Sequence, residues 1–128
     1  MKKIIIVLIV LLIKFSSCGD VFVHYSLNVD NQTRDTIKIV FLDNSPYKMV
    51  NPDSLYFPPK HKKLLYGASG RVIEDGCYTG IKEKEIKVYT SSGRELRKDI
   101  WNVNNWECRG AKMEGWNMTF VITEYDLE

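Results

Sequence analysis

Val21-Phe-Val-His-Tyr-Ser-Leu-Asn-Val29 decides how the chain is read, because apolar and polar residues alternate through it. Val21, Val23, Tyr25, Leu27 and Val29 fall on one face, and Phe22, His24, Ser26 and Asn28 on the other. A period of two is the mark of a half-buried strand rather than a helix. The polar residues 30 to 35 predict a turn. Thr36-Ile-Lys-Ile-Val-Phe-Leu42 follows, rich in β-branched residues with Lys38 pointing outward, and the two segments together predict a hairpin.

The same cadence continues toward the C-terminal side. Residues 43 to 53, with Pro46 and Pro52, read as a loop, and Ser54-Leu-Tyr-Phe57 as a short strand stopped by Pro58-Pro59. Lys63-Leu-Leu-Tyr66 is expected to return beside it, while residues 67 to 80, rich in glycine, offer little regular structure. Glu85-Ile-Lys-Val-Tyr89 alternates again. Ser91-Ser92-Gly93 supplies a left-handed position for a short hairpin loop, with residues 94 to 100 as the partner strand. Trp116-Asn-Met-Thr-Phe-Val-Ile-Thr123 sets Trp116, Met118, Phe120 and Ile122 on one face. No amphipathic helix is convincing. Short strands at a spacing of about ten residues predict an all-β chain folded as one two-sheet sandwich over residues 21 to 128.

The first twenty residues carry a different message. Lys2 and Lys3 precede an apolar run from Ile4 to Ile13, followed by Lys14-Phe-Ser-Ser-Cys18-Gly-Asp20. A basic start, a short apolar stretch and small residues before a cysteine read as an export signal. As a helix the run would span about 15 Å, half of a hydrocarbon core, and so makes a poor permanent membrane span. Phe15-Ser16-Ser17-Cys18 resembles the lipobox of bacterial lipoproteins, with Phe15 where Leu is usual. The resemblance implies a signal peptide over residues 1 to 17, cleavage before Cys18, and acyl chains on that cysteine, with residues 18 to 20 as anchor and tether. Cleavage after Gly19 is the alternative, since Ser17 and Gly19 are small where such a cut requires it. Both readings export the protein.

Export changes how the charge is read. The chain has 18 basic and 16 acidic residues, but Lys2, Lys3 and Lys14 belong to the signal, which leaves 15 basic against 16 acidic, or −1. Nothing in that balance argues for nucleic acid. Lys60-His-Lys-Lys63 is the one dense basic cluster and reads as a solvated loop. If Cys18 takes lipid, Cys77 and Cys108 remain as an even pair in an exported chain, which favours a disulfide over two buried thiols. Neither a CxxC nor an HxxxH spacing supports a metal site.

The chain from Leu27-Asn28, through Asp53-Ser-Leu55 and the turn at Ser92-Gly93, to Phe120-Val-Ile-Thr-Glu-Tyr-Asp-Leu127 resembles small immunoglobulin-like lipoproteins of uncharacterised function in some Gram-negative bacteria. The resemblance implies an immunoglobulin-like sandwich held to the cell envelope, and it carries a fold rather than a chemistry. Gly19 stands where an Asp would retain a lipoprotein at the inner membrane, which favours the outer membrane.

Few residues suggest chemistry. No GxSxG, HExxH or phosphate-binding loop is present, the carboxylates, Glu83 and Glu85 among them, read as scattered exposed positions, and neither a catalytic set nor a cofactor is expected. Trp101-Asn102-Val103-Asn104-Asn105-Trp106 is the most unusual patch, since flat aromatic faces beside amides suit a sugar ring and its hydroxyls. The competing reading makes the tryptophans a cover for the end of the sandwich and the Asn residues turn builders. Asp35-Thr36-Ile37 and Asp53-Ser54-Leu55 resemble a bacterial O-glycosylation motif, with Thr36 and Ser54 as acceptors. The leading expectation is a lipid-anchored, non-enzymatic interaction or accessory module whose partner is an envelope protein or glycan. A carbohydrate-binding module is the second, and an inhibitor inserting the loop of residues 43 to 52 into an envelope hydrolase the third.

Overall fold

The computed structural model describes residues 22–45, 53–71, 76–77, 79–111 and 115–128. The expected signal, Cys18 and residues 46–52 of the long loop lie outside them. Among the described residues seven strands form: β1 (Phe22–Asn31), β2 (Ile37–Phe41), β3 (Ser54–Phe57), β4 (His61–Arg71), β5 (Ile86–Thr90), β6 (Glu107–Ala111) and β7 (Gly115–Ile122). They make two sheets, ordered β4-β1-β7-β6 and β3-β2-β5, packed face to face as the expected all-β sandwich.

The alternation of β1 builds the larger sheet. Leu27 and Val29 are buried against Met118, Phe120 and Ile122 of β7, the face anticipated for that strand. Tyr25, Leu27 and Val29 stand opposite Trp116, Met118 and Phe120 in a parallel pairing, so like faces meet, with Leu27, Val29, Met118 and Phe120 buried and Tyr25 and Trp116 half-buried. On its other edge β1 pairs antiparallel with β4, with a register shift after Leu27 that skips Leu65. The bulge brings Leu65 and Tyr66, adjacent in sequence, both against the core while Leu64 faces solvent. In the smaller sheet Ile37, Ile39 and Phe41 of β2 are buried at every second position, with Phe57 and Ile86 beside them.

Pairing departs from the sequence reading at four places. β1 and β2 are not a hairpin, because β1 pairs with β4 and β7, and β2 with β3 and β5, so the connection between them arches from one sheet to the other. Lys63 to Tyr66 does not return beside β3: the turn at Pro58 to Lys60, where Lys60 takes a left-handed φ of 59°, also crosses between sheets. His61, Lys62 and Lys63 therefore open a strand rather than lie in a loop, although all three are exposed. Gly67 to Arg71 continues β4, where little regular structure was expected. Gly93 does take the expected left-handed conformation, φ 79°, but residues 94–100 do not pair with β5 and, among the described residues, form only one bridge, Leu96 to Leu127. Sequence reading also missed β6, since Glu-Cys-Arg-Gly-Ala has no apolar alternation.

A polar hub seals the arch. Asn31 and Thr33 are fully buried. Asn31 Nδ2 donates to the carbonyls of Asp35 (2.7 Å), Phe57 (2.9 Å) and Pro58 (3.1 Å), and its Oδ1 accepts from the backbone N–H and hydroxyl of Thr33. Such a side chain satisfies backbone groups that a sheet-crossing turn would otherwise bury unpaired.

Candidate functional site

The departure at residues 94–100 leaves a groove between β5 and that segment. Leu42 N–H donates to Glu85 C=O and Ser91 N–H to Thr36 C=O, at 2.9 and 3.0 Å. With the register Val40↔Lys87 and Lys38↔Tyr89, these bonds fix which residues of β5 face β2. Lys87 and Tyr89 direct their backbone groups to β2, so Ile86, Val88 and Thr90 direct theirs away from it, to the open edge. Of these, the Thr90 carbonyl accepts from Gly93 N–H at 3.1 Å.

The opposite wall is a second half-satisfied backbone. Glu95 and Glu128 exchange both N–H···O bonds at 2.9 Å, and Arg97 N–H donates to Asp126 C=O. Leu96, between them, therefore turns its own N–H and C=O away from Leu127, on the edge that this segment leaves open. The space between the walls is about 610 Å³. Ile100 is buried in its lining, Val88 and Leu96 are half-buried, and Trp101, 37% exposed, lies at its margin.

The charges around the groove are unevenly engaged. Arg94 donates to Asp35 through Nε and Nη2 (3.2 and 3.0 Å) and to Glu124 through Nη2 (2.9 Å). Glu124 in turn accepts from the backbone N–H of Arg34 at 2.6 Å. That backbone bond, then the Arg94 guanidinium, holds the Glu124 carboxyl below its ordinary range, and the same pair of carboxylates raises Arg94. Lys98 Nζ donates to Val121 C=O at 2.8 Å and sits over the Phe120 ring. Both cations are thus used by the fold. Glu83, Glu95, Asp99 and Lys87 line the groove with side chains that make no hydrogen bond or ion pair among the described residues.

The Trp101–Trp106 patch is divided. Trp106 is buried, donates Nε1–H to Ile100 C=O at 2.7 Å and packs on Phe120 with ring centroids 5.3 Å apart. Asn102 caps the short 3-10 turn Val103–Asn105 by accepting from Asn104 N–H at 3.0 Å, and Asn105 Nδ2 donates to Asp99 C=O at 3.0 Å. Of the expected sugar-binding set, Trp101, Asn102 and Asn104 remain exposed. Trp116, expected in the core, is half-buried, and its buried Nε1–H has no acceptor among the described residues.

The other expected residues fall elsewhere. Cys77 and Cys108 form the disulfide, with Cα atoms 6.0 Å apart, joining β6 to the segment ahead of β5. Thr36 and Ser54 are half-buried on the smaller sheet side and neither lines the groove, although Thr36 is hydrogen-bonded to Ser91 next to the lining residue Thr90. Glu85 is buried rather than exposed, because its Oε2 accepts from Lys82 N–H at 3.0 Å and closes the turn ahead of β5. The groove itself had one trace in the sequence: Arg94-Glu-Leu-Arg-Lys-Asp99 holds a single apolar residue and is poor material for a paired strand. Comparison with known protein families, curated proteins and solved structures finds no match to this chain.

Proposed function

We propose that the chain is a non-enzymatic interaction module of the bacterial cell envelope, anchored at the outer membrane through acyl chains on Cys18. What supports the interaction role is one observation: the open edge of β5 and Leu96 both line one groove, and Val88 and Leu96 make no main-chain hydrogen bond on that side among the described residues. Unpaired edges of this kind are templates for another chain. What supports the anchor is the run Phe15-Ser-Ser-Cys18 after a short apolar stretch. Several acyl chains, each methylene contributing about 0.8 kcal/mol when buried, hold a protein stably at a bilayer.

The test is the intact mass of protein extracted from membranes, beside a Cys18→Ala variant. A mass equal to residues 18–128 plus acyl groups, absent from the variant, supports the anchor; an unlipidated chain beginning at Asp20 overturns it. Trp101 favours a second reading, since its exposed ring lies close in sequence to the exposed Asn102 and Asn104. A glycan partner would quench its fluorescence, and Trp101→Ala would abolish binding.

A further inference from the structure

We propose that the groove is a strand-addition site for one extended segment of a partner protein, with Lys or Arg at alternate positions, inserted between β5 and Leu96. The inference rests on the interaction-module reading and names the class of partner. Three observations carry it. Val88 turns its N–H and C=O away from β2, Leu96 turns its own away from Leu127, and both residues line the groove, so an inserted strand would find donors and acceptors on both of its edges. That strand would extend the smaller sheet from β3-β2-β5 across to the Leu96–Leu127 bridge. A sheet edge takes extended peptides mainly through such main-chain bonds, and pockets for alternate side chains choose among them.

The lining supplies those pockets. Successive side chains of an extended segment point to opposite faces. One set would reach the apolar floor made by Val88, Leu96 and Ile100. The other would meet the charges at the rim. There Arg94 and Lys98 are already held by Asp35, Glu124 and the Val121 carbonyl, whereas the Glu83, Glu95 and Asp99 carboxylates are unengaged and only Lys87 opposes them. Three free carboxylates against one free ammonium select cationic side chains.

The test uses the isotope-labelled full chain and a seven-residue peptide of alternating valine and lysine, followed by amide NMR. The expected result is saturable shifts of the Val88 and Leu96 amides. A valine–glutamate peptide should bind at least about tenfold more weakly. Glu95→Lys with Asp99→Lys should reverse that preference; both side chains are exposed, so the variant keeps its fold. Methylating alternate peptide nitrogens should abolish the shifts. Absence of saturation, shifts that survive methylation, or shifts confined to other strands would overturn the proposal, and binding indifferent to peptide charge would overturn its cationic partner. The readout does not depend on Cys18. A groove that takes no peptide on a lipidated protein therefore leaves the anchor standing, and peptide binding by an unlipidated chain leaves the groove.

Discussion

Asn31 of β1 donates to the main-chain carbonyl of Phe57 in β3 at 2.9 Å, and with that bond a strand of one sheet is tied to a strand of the other through a fully buried amide. The remaining amide hydrogen-bonding capacity goes to Asp35, Pro58 and Thr33, so the crossing is closed on both sides of the arch.

Asn31→Asp keeps the shape and turns the donor into a carboxylate facing three carbonyl oxygens. The expected loss exceeds about 3 kcal/mol at neutral pH. Burial raises the pKa of such a carboxyl, so the destabilisation is present above the folded-state value and eases as acid protonates the group. Urea unfolding at pH 7 and pH 4 measures both parts, and a variant with wild-type stability at pH 7 would mean the hub does not hold the sheets.

Trp106 and Trp101 should behave as opposites. Trp106→Ala removes a buried ring and its bond to Ile100 C=O, at an expected cost of about 3–5 kcal/mol. Trp101→Ala should stay within about 0.5 kcal/mol, as exposed positions do. Chemical denaturation of the two single variants decides this.

Opening the Cys77–Cys108 bond releases a loop with a sequence separation of 31. Chain entropy puts the stabilisation at about 3.5 kcal/mol, and Cys77→Ser with Cys108→Ser should lose about 2–5 kcal/mol. Matching stability between the oxidised wild type and the double variant would contradict this.

Glu124 carries the pH dependence of the arch. Its carboxyl is depressed by the Arg34 backbone N–H and by Arg94, so its contribution is present above the ordinary value of 4.5 and is lost as pH falls through the lower folded-state value. Glu124→Gln should lower Tm slightly at pH 7 and leave it unchanged in strong acid. A Tm deficit that persists at pH 2 would assign the loss to something other than charge.

Faces were legible in the sequence and partners were not. Alternation in β1, β2 and β7 states which side chains turn inward, and Leu27, Val29, Ile37, Ile39, Met118, Phe120 and Ile122 are all buried as it requires. It says nothing about which strand lies alongside, because a strand of given polarity satisfies its core face equally in a hairpin or in a crossing. The three expected returns that do not form, at residues 30–35, 58–60 and 91–93, come from that indifference. The groove was hidden for the same reason: an open edge exists only once every other edge has been assigned. Glu85 misled differently, since its carboxylate is buried through a bond to its own turn, a contact three residues long that composition does not register.

The parallel pairing of β1 with β7 sets the order in which the molecule can come into being. Tyr25 stands opposite Trp116, and between them lies most of the chain. A polypeptide emerging from a ribosome, or from a translocation channel, in the N-to-C direction can assemble the three-stranded sheet as soon as residue 90 is out, but the larger sheet must wait for its last strand. Contacts so distant along the chain slow folding toward milliseconds to seconds. Until β7 arrives, β1 has only β4 beside it and its core face lacks Met118, Phe120 and Ile122. The chain thus stays incomplete, and threadable, throughout its synthesis.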